Sequence, residues 1–308
     1  MRFWTGVTDN DWFDFLSRRA HLDEVNFWHP RGRAPFNTLP PGTPFLFKLK
    51  RPHHHIAGGA YFVKFERLPL RLAWEAFGDK NGAASFPALA NLIVGARGRD
   101  AGHSDEIGCS ILAEPFFFAR EAWIPVEEEF ERNIVTGKSF DTATEQGARL
   151  WAEVERVMER QPLAVNAVAE QTPRYGEPTI IRPRLGQGAF RATVTNAYGR
   201  RCAVTGESTL PVLEAAHIQP VANAGTNNTF NGLLLRSDFH RLFDLGLLTV
   251  DPTYRVVVSG RIKEEWFNGK AYNRLHGELL ASIPADAHDR PHPELLRWHN
   301  ENVFERVA

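Results

Sequence analysis

Two cysteines in 308 residues, Cys109 and Cys202, exclude a disulfide framework and a four-cysteine zinc site within one chain. No apolar run approaches the roughly eighteen residues that a membrane-spanning helix needs. The opening MRFWTGVTDND lacks the apolar stretch of a secretory signal and reads directly as a strand, so the expected location is cytoplasmic. An excess of one charge is also missing. Lys and Arg number 36 against 37 Asp and Glu, a net charge of −1, so any surface for nucleic acid has to be local. What is present is ordinary globular composition, 43% hydrophobic and 24% charged, at a length that accommodates two domains with their own cores.

The basic residues are unevenly spread. Between Ile181 and Arg201 there are five arginines (182, 184, 191, 200 and 201) and no acid. Between Arg31 and Lys80, nine Lys or Arg face only Glu66, Glu75 and Asp79. Either segment could line a phosphate backbone or simply be a solvated face.

Along the chain, MRFWTGVT reads as a strand and DNDWFDFLSRR as a helix capped by Asp9 or Asp11. TPFLFKLK alternates as a strand, and HIAGGAYFVKFERLP is another, with Gly58 and Gly59 marking a bulge or bend. LRLAWEAFG and FPALANLIVGAR are helical, while IGCSILAEPFFF and EAWIPV complete the strands. The apolar residues Leu150, Trp151, Val154, Val157 and Met158 recur at helical spacing. Pro162, Pro173, Pro178 and Pro183 then occur without periodicity, which predicts a linker over 161–182 between domains at 1–160 and 183–308. Gln187 to Tyr198 reads as a helix, and LLTVDP with YRVVVSG as a hairpin. His53, His54 and His55 follow Pro52 and point different ways, as at a polar loop tip.

The most informative stretch is Leu213 to Thr249, LEAAHIQPVANAGTNNTFNGLLLRSDFHRLFDLGLLT. VLEAAHI is an apolar strand ending in His217, VANAGTNNTFNG is a turn-rich loop, and SDFHRLFDLG starts a helix carrying His240. A histidine at a strand end facing one at a helix start can hold a divalent cation and a water between them. Arg236 and Arg241 flank that helix start and, with Arg184, Arg191 and Arg200, are candidate phosphate contacts.

AAHI, NGLLL and HRLFD in this order resemble the HNH family of ββα-metal nucleases over about forty residues. The resemblance implies that His217 is the general base, Asn231 pins the loop by side-chain to backbone bonds, and His240 is a metal ligand. It implies a divalent metal, magnesium or manganese. Where many relatives carry a second ligand, just before the base, this chain has Ala216, so the shell is completed by phosphate and water or Glu214 reaches in. The paired CxxC motifs of many such domains are reduced to Cys202-Ala-Val-Thr205, so no structural zinc is expected and Cys202 is expected to be buried.

The first half resembles, more loosely, the PUA superfamily and its EVE branch, through FWTGVT, VNFWHP, PGTPFLFKLK and HIAGG. The expected fold class is therefore α+β, a curled PUA/EVE-like β-barrel with helices followed by a ββα-metal domain. Base readers of this kind stack a flipped base on aromatic faces, and the candidate pocket residues are Trp4, Asn26, Phe27, Trp28 and Trp74. Together the two resemblances imply a modification-dependent endonuclease acting on double-stranded DNA that carries 5-methylcytosine or 5-hydroxymethylcytosine. One centre per chain and two strands to cut imply a homodimer. The rival expectation is a modified-DNA- or RNA-binding protein whose nuclease domain has degenerated.

Overall fold

A computed structural model describes residues 1–33, 39–98, 105–126, 134, 136–160, 185–267 and 269–305, and the chain divides into two compact units, Met1–Gly186 and Gln187–Ala308. The expected linker at 161–182 and Arg184 lie outside the described residues.

Among the described residues the first unit is built on seven strands. They are β1 (Arg2–Thr8), β2 (Glu24–His29), β3 (Pro44–Leu49), β4 (His55–Pro69), β5 (Glu106–Phe117), β6 (Ile124–Pro125) and β7 (Gly137–Asp141), in the order β2-β5-β4-β3-β1-β7, with β6 pairing β4. Among the described residues nothing joins β2 to β7. Among these residues the expected closed barrel is not found, and the strands form an open sheet. The curvature is local: β4 slips register between Gly59 and Tyr61 and between Phe62 and Lys64. A Cβ on Gly58 would lie 2.3 Å from the Phe116 carbonyl oxygen, so the glycine pair lets β5 approach at the expected bend.

Both faces of this sheet are covered, which is why β3 is buried at all six positions and not at alternate ones. On one face α1 (Asn10–Ser17) packs Trp12, Phe13 and Leu16 against Phe27, Phe45 and Phe47. On the other, α4 (Glu145–Arg160) lays Leu150, Val154 and Met158 on Phe3, Leu46 and Phe140. Of the two candidate caps Asp9 is the one used, accepting from the N–H groups of Asp11 and Trp12. Helices α2 (Leu70–Phe77) and α3 (Phe86–Arg97) connect β4 to β5.

The second unit opens with α5 (Gln187–Ala197). Strands β8 (Leu213–His217) and β9 (Gly232–Arg236) pair antiparallel and run into α6 (Ser237–Asp244). A hairpin of β10 (Leu248–Val250) and β11 (Val256–Val258) follows, then α7 (Arg261–Trp266), α8 (Lys270–Asn273) and α9 (Pro293–Asn302). The motif is therefore strand, loop, strand, helix, where periodicity alone predicts strand, loop, helix. β9 escapes that reading because Gly232 to Leu235 are all buried, an unbroken apolar run without alternation. Cys202 is fully buried, its sulfur accepts from the Arg236 N–H, and Phe190, Tyr198, Leu233, Phe239 and Phe243 pack around it in one core. Among the described residues no helix is long and apolar enough to cross a membrane.

His29 in the first unit is partly buried and His299 in the second is fully buried. His29 bonds Ser110 and His299 bonds Thr249, and burial pushes both imidazoles down to about 4. An unfolded histidine titrates near ~6.5, so between that pH and about 4 the unfolded chain binds protons that the native chain refuses. The stabilisation from keeping these rings neutral is complete above ~6.5 and is lost as pH falls toward 4. Urea melts between pH 7.5 and pH 4.5 should show this decline, and His299→Gln should flatten it in the second unit's transition. A wild-type midpoint that stays constant across that window contradicts the assignment.

Candidate active site

The site is carried by β8, β9 and α6. His217 ends β8 and stands opposite Gly232 in the register. Its Nε2 lies 2.8 Å from the Asn227 side-chain oxygen, and its ring stacks on Phe190 of α5 with centroids 3.8 Å apart and planes 10° from parallel. Half-burial, above all, pushes the His217 imidazole below its ordinary value. The Asn227 bond opposes that, nearby His240 adds to it, and Asp244 opposes it. His217 is thus neutral at pH 7 and able to accept a proton.

Asn231 is fully buried and uses its whole amide. Its oxygen accepts from the Gln219 N–H at 2.9 Å, and its nitrogen donates to the carbonyls of Gln219 and Thr226, each at 2.8 Å. The far end of the loop is thereby tied to the residues immediately after His217.

His240 lies in the first half of α6 between two carboxylates. Nδ1 is 2.6 Å from Glu214 Oε2 and Nε2 is 3.4 Å from Asp244 Oδ2. Both carboxylates are about half exposed, so this end of the site faces solvent. Glu214 reaches toward His240 from β8, whereas Ala216 is fully buried in the core and offers no donor. Asp244 is an addition to the sequence reading, which names Glu214 alone as a carboxylate that could reach in. Its i,i+4 spacing from His240 in HRLFD is the available signal. Asn227 and Phe190 also escape that reading. Nothing in the run TNNTFN marks Asn227 from its neighbours, and Phe190 is twenty-seven positions from His217.

Among the described residues no three His, Cys, Asp or Glu side chains converge as a metal-holding group. The donors do fit a sparser site. An imidazole nitrogen and a carboxylate oxygen in contact are the kinds of donor a divalent cation takes, with the remaining positions left to phosphate and water.

The other candidates are dispersed. Arg236 makes a two-point bridge with Asp238, at 2.7 Å for each nitrogen, so its guanidinium is already engaged. Arg241 is exposed on α6, Arg200 bonds Asn196 with a backbone φ of 61°, and Arg191 is half-buried on α5. In the first unit Trp4 and Phe27 sit in the apolar layer under α1. Asn26 and Trp28 meet at Asn81, whose side chain accepts from the Asn26 amide and whose backbone carbonyl accepts from the Trp28 indole. Trp74 is half-buried on α2.

Residues 202–251 match the HNH endonuclease family, so the chain contains an HNH endonuclease domain that spans β8 through β10 and holds His217, Asn231 and His240. Phe190 lies before the matched residues. No curated protein matches the sequence. Among solved structures, a "Modification dependent TagI restriction endonuclease" aligns over 94% of this chain and 79% of its own, at 14% identity and a TM-score of 0.28. That likeness is too loose to carry a fold or an activity across.

Proposed function

We propose that the chain is a metal-dependent DNA endonuclease in which the unit at 187–308 cuts and the unit before it selects DNA carrying modified cytosine. The observation that supports the cutting role is a half-buried His217 whose imidazole is held below its ordinary value, near enough to His240 to feel its charge, with His240 bonded to a half-exposed Glu214 inside a matched HNH domain. In this reading His217 takes a proton from the attacking water, Asn231 holds the loop that closes the site, and His240 with Glu214 would hold magnesium or manganese. When bound, such an ion would offset charge on the phosphate and the leaving oxygen. Arg191, Arg200 and Arg241 would meet backbone phosphates, as would Arg184, while Arg236 would do so only on releasing Asp238.

The selecting role rests on the sequence resemblance of the first 150 residues to modified-base readers. Among the five pocket candidates, Trp28 and Trp74 keep exposed surface, so they are the ones to substitute in testing base stacking. The domain division at 161–182 belongs to the same proposal. A homodimer would supply one centre to each strand.

The test is cleavage of plasmid DNA, unmodified, 5-methylated or 5-hydroxymethylated, and of RNA, by the full chain with magnesium, manganese or a chelator. Cutting of modified DNA that requires the metal is the expected result. Equal cutting of unmodified DNA removes the selecting role. Binding without cutting under every condition removes the nuclease.

A further inference from the structure

We infer that Asn227 and Phe190 are positioning residues that seat His217 in one ring orientation and one tautomer, leaving Nδ1 as the nitrogen that accepts the proton. Three observations converge on this. The first is Gly232, which lies directly across from His217. A Cβ there would lie 2.5 Å from Val194 Cγ2 and 3.0 Å from the Phe190 ring, so α5 can close onto β9 only because that position has no side chain. The second is the stack, since Phe190 lies nearly parallel to the imidazole at 3.8 Å and blocks tilting out of plane. Stacking alone still permits a half-turn of the ring about its own bond to Cβ.

Asn227, the third, removes that freedom. Its amide oxygen is an acceptor only, so the 2.8 Å contact to Nε2 exists only while Nε2 carries hydrogen. In the neutral ring the lone pair then lies on Nδ1. The three asparagines of the loop TNNTFN thus serve different ends. Asn227 orients the base, Asn228 bonds Thr226 within the loop, and Asn231 pins the loop to Gln219. Because Asn231 also bonds the Thr226 carbonyl, the residue next to Asn227 is held by the same anchor.

The catalytic consequence rests on the nuclease reading above, while the ring seat does not. As the water oxygen bonds to phosphorus, one of its O–H bonds breaks and the proton moves to Nδ1. The bond from phosphorus to the leaving oxygen breaks with its electron pair, and that oxygen takes a proton from solvent water. The resulting imidazolium keeps its Nε2–H on Asn227, and the gained charge strengthens that bond.

The experiment uses the full chain labelled with ¹⁵N in histidine, with His217 identified by a His217→Gln control. Its imidazole NH is read by NMR above the ring's titration, and single-turnover cleavage is measured in parallel. In the parent a slowly exchanging proton should be found on Nε2 of His217. Asn227→Ala should lose that signal to solvent exchange and cut about 10²-fold more slowly with KM unchanged. Asn227→Asp, which keeps an acceptor oxygen, should retain the signal. A proton found on Nδ1 in the parent overturns the seat, even if the protein cuts DNA. An Asn227→Ala chain with parental signal and rate overturns it as well. Absence of any cleavage beside an intact Nε2 proton sinks the nuclease reading and leaves the seat standing.

Discussion

His217→Ala should leave the second unit folded and lower single-turnover cleavage on the order of 10²- to 10⁴-fold, the range that a positioned general base contributes. Its structural cost is small because the ring is only half-buried, its hydrogen bond to Asn227 is to a loop residue, and its stack with Phe190 contributes about 1 kcal/mol. Its chemical cost is large, since in the proposed reaction His217 is the group that takes the proton from the attacking water. Burial keeps that imidazole below its ordinary value, so the parental rate should fall on acidification at a lower pH than an ordinary imidazole would impose. His240→Ala supplies the contrast. It would leave Glu214 and Asp244, both half exposed, without the imidazole between them, and weaken the response of rate to metal concentration. Plasmid nicking followed at several magnesium and manganese concentrations, with thermal melts of each variant, separates the two. Parental cutting by His217→Ala would remove the proposed base, and with it the mechanism.

What can be read from the chain alone divides along physical lines. Helices whose burial follows a period are legible, such as α1 with its Asp9 cap and the amphipathic α4, and β4 is legible through its glycine bend. β9 is not, because a strand buried on both faces shows no alternation. The histidine pair and Asn231 are legible through the order of three short motifs, and the matched HNH domain covers all of them. Asn227 and Phe190 are not, because their parts in the site come from a loop geometry and a helix packing that no local spacing records. Trp4 and Phe27 mark another limit of the sequence. An aromatic in a strand looks the same in sequence whether it lines a pocket or fills a core, and these two lie in the layer beneath α1.

Asn231 should prove to be the most costly single residue in the site for stability, although it touches neither proton nor metal in the proposed reaction. Alanine there removes one acceptor and two donors at once, leaving the Gln219 N–H and the carbonyls of Gln219 and Thr226 to find water in a half-buried loop. At about 1–3 kcal/mol for a buried polar group left unmade, partly relieved by solvent, the unit should lose roughly 2–4 kcal/mol, a large share of a typical domain's 5–15. Asn231→Asp discriminates further. It preserves the oxygen that accepts from Gln219 but turns a second oxygen toward two carbonyls, where the amide had offered hydrogens. That arrangement disfavours the ionised form, so the folded-state pKa of the new carboxyl must rise above its unfolded value near ~3.9. A raised folded pKa means that the native state gains a proton first on acidification, so the deficit of the Asp variant against the parent should narrow as pH falls, while that of the Ala variant stays constant. Chemical denaturation of the parent and both variants at pH 8 and pH 5 reads the difference directly. Equal deficits at the two pH values would mean that the amide hydrogens are not aimed at those carbonyls. Cleavage should fall in both variants with His217 intact, because a loop released from Gln219 no longer fixes Asn227 against the imidazole.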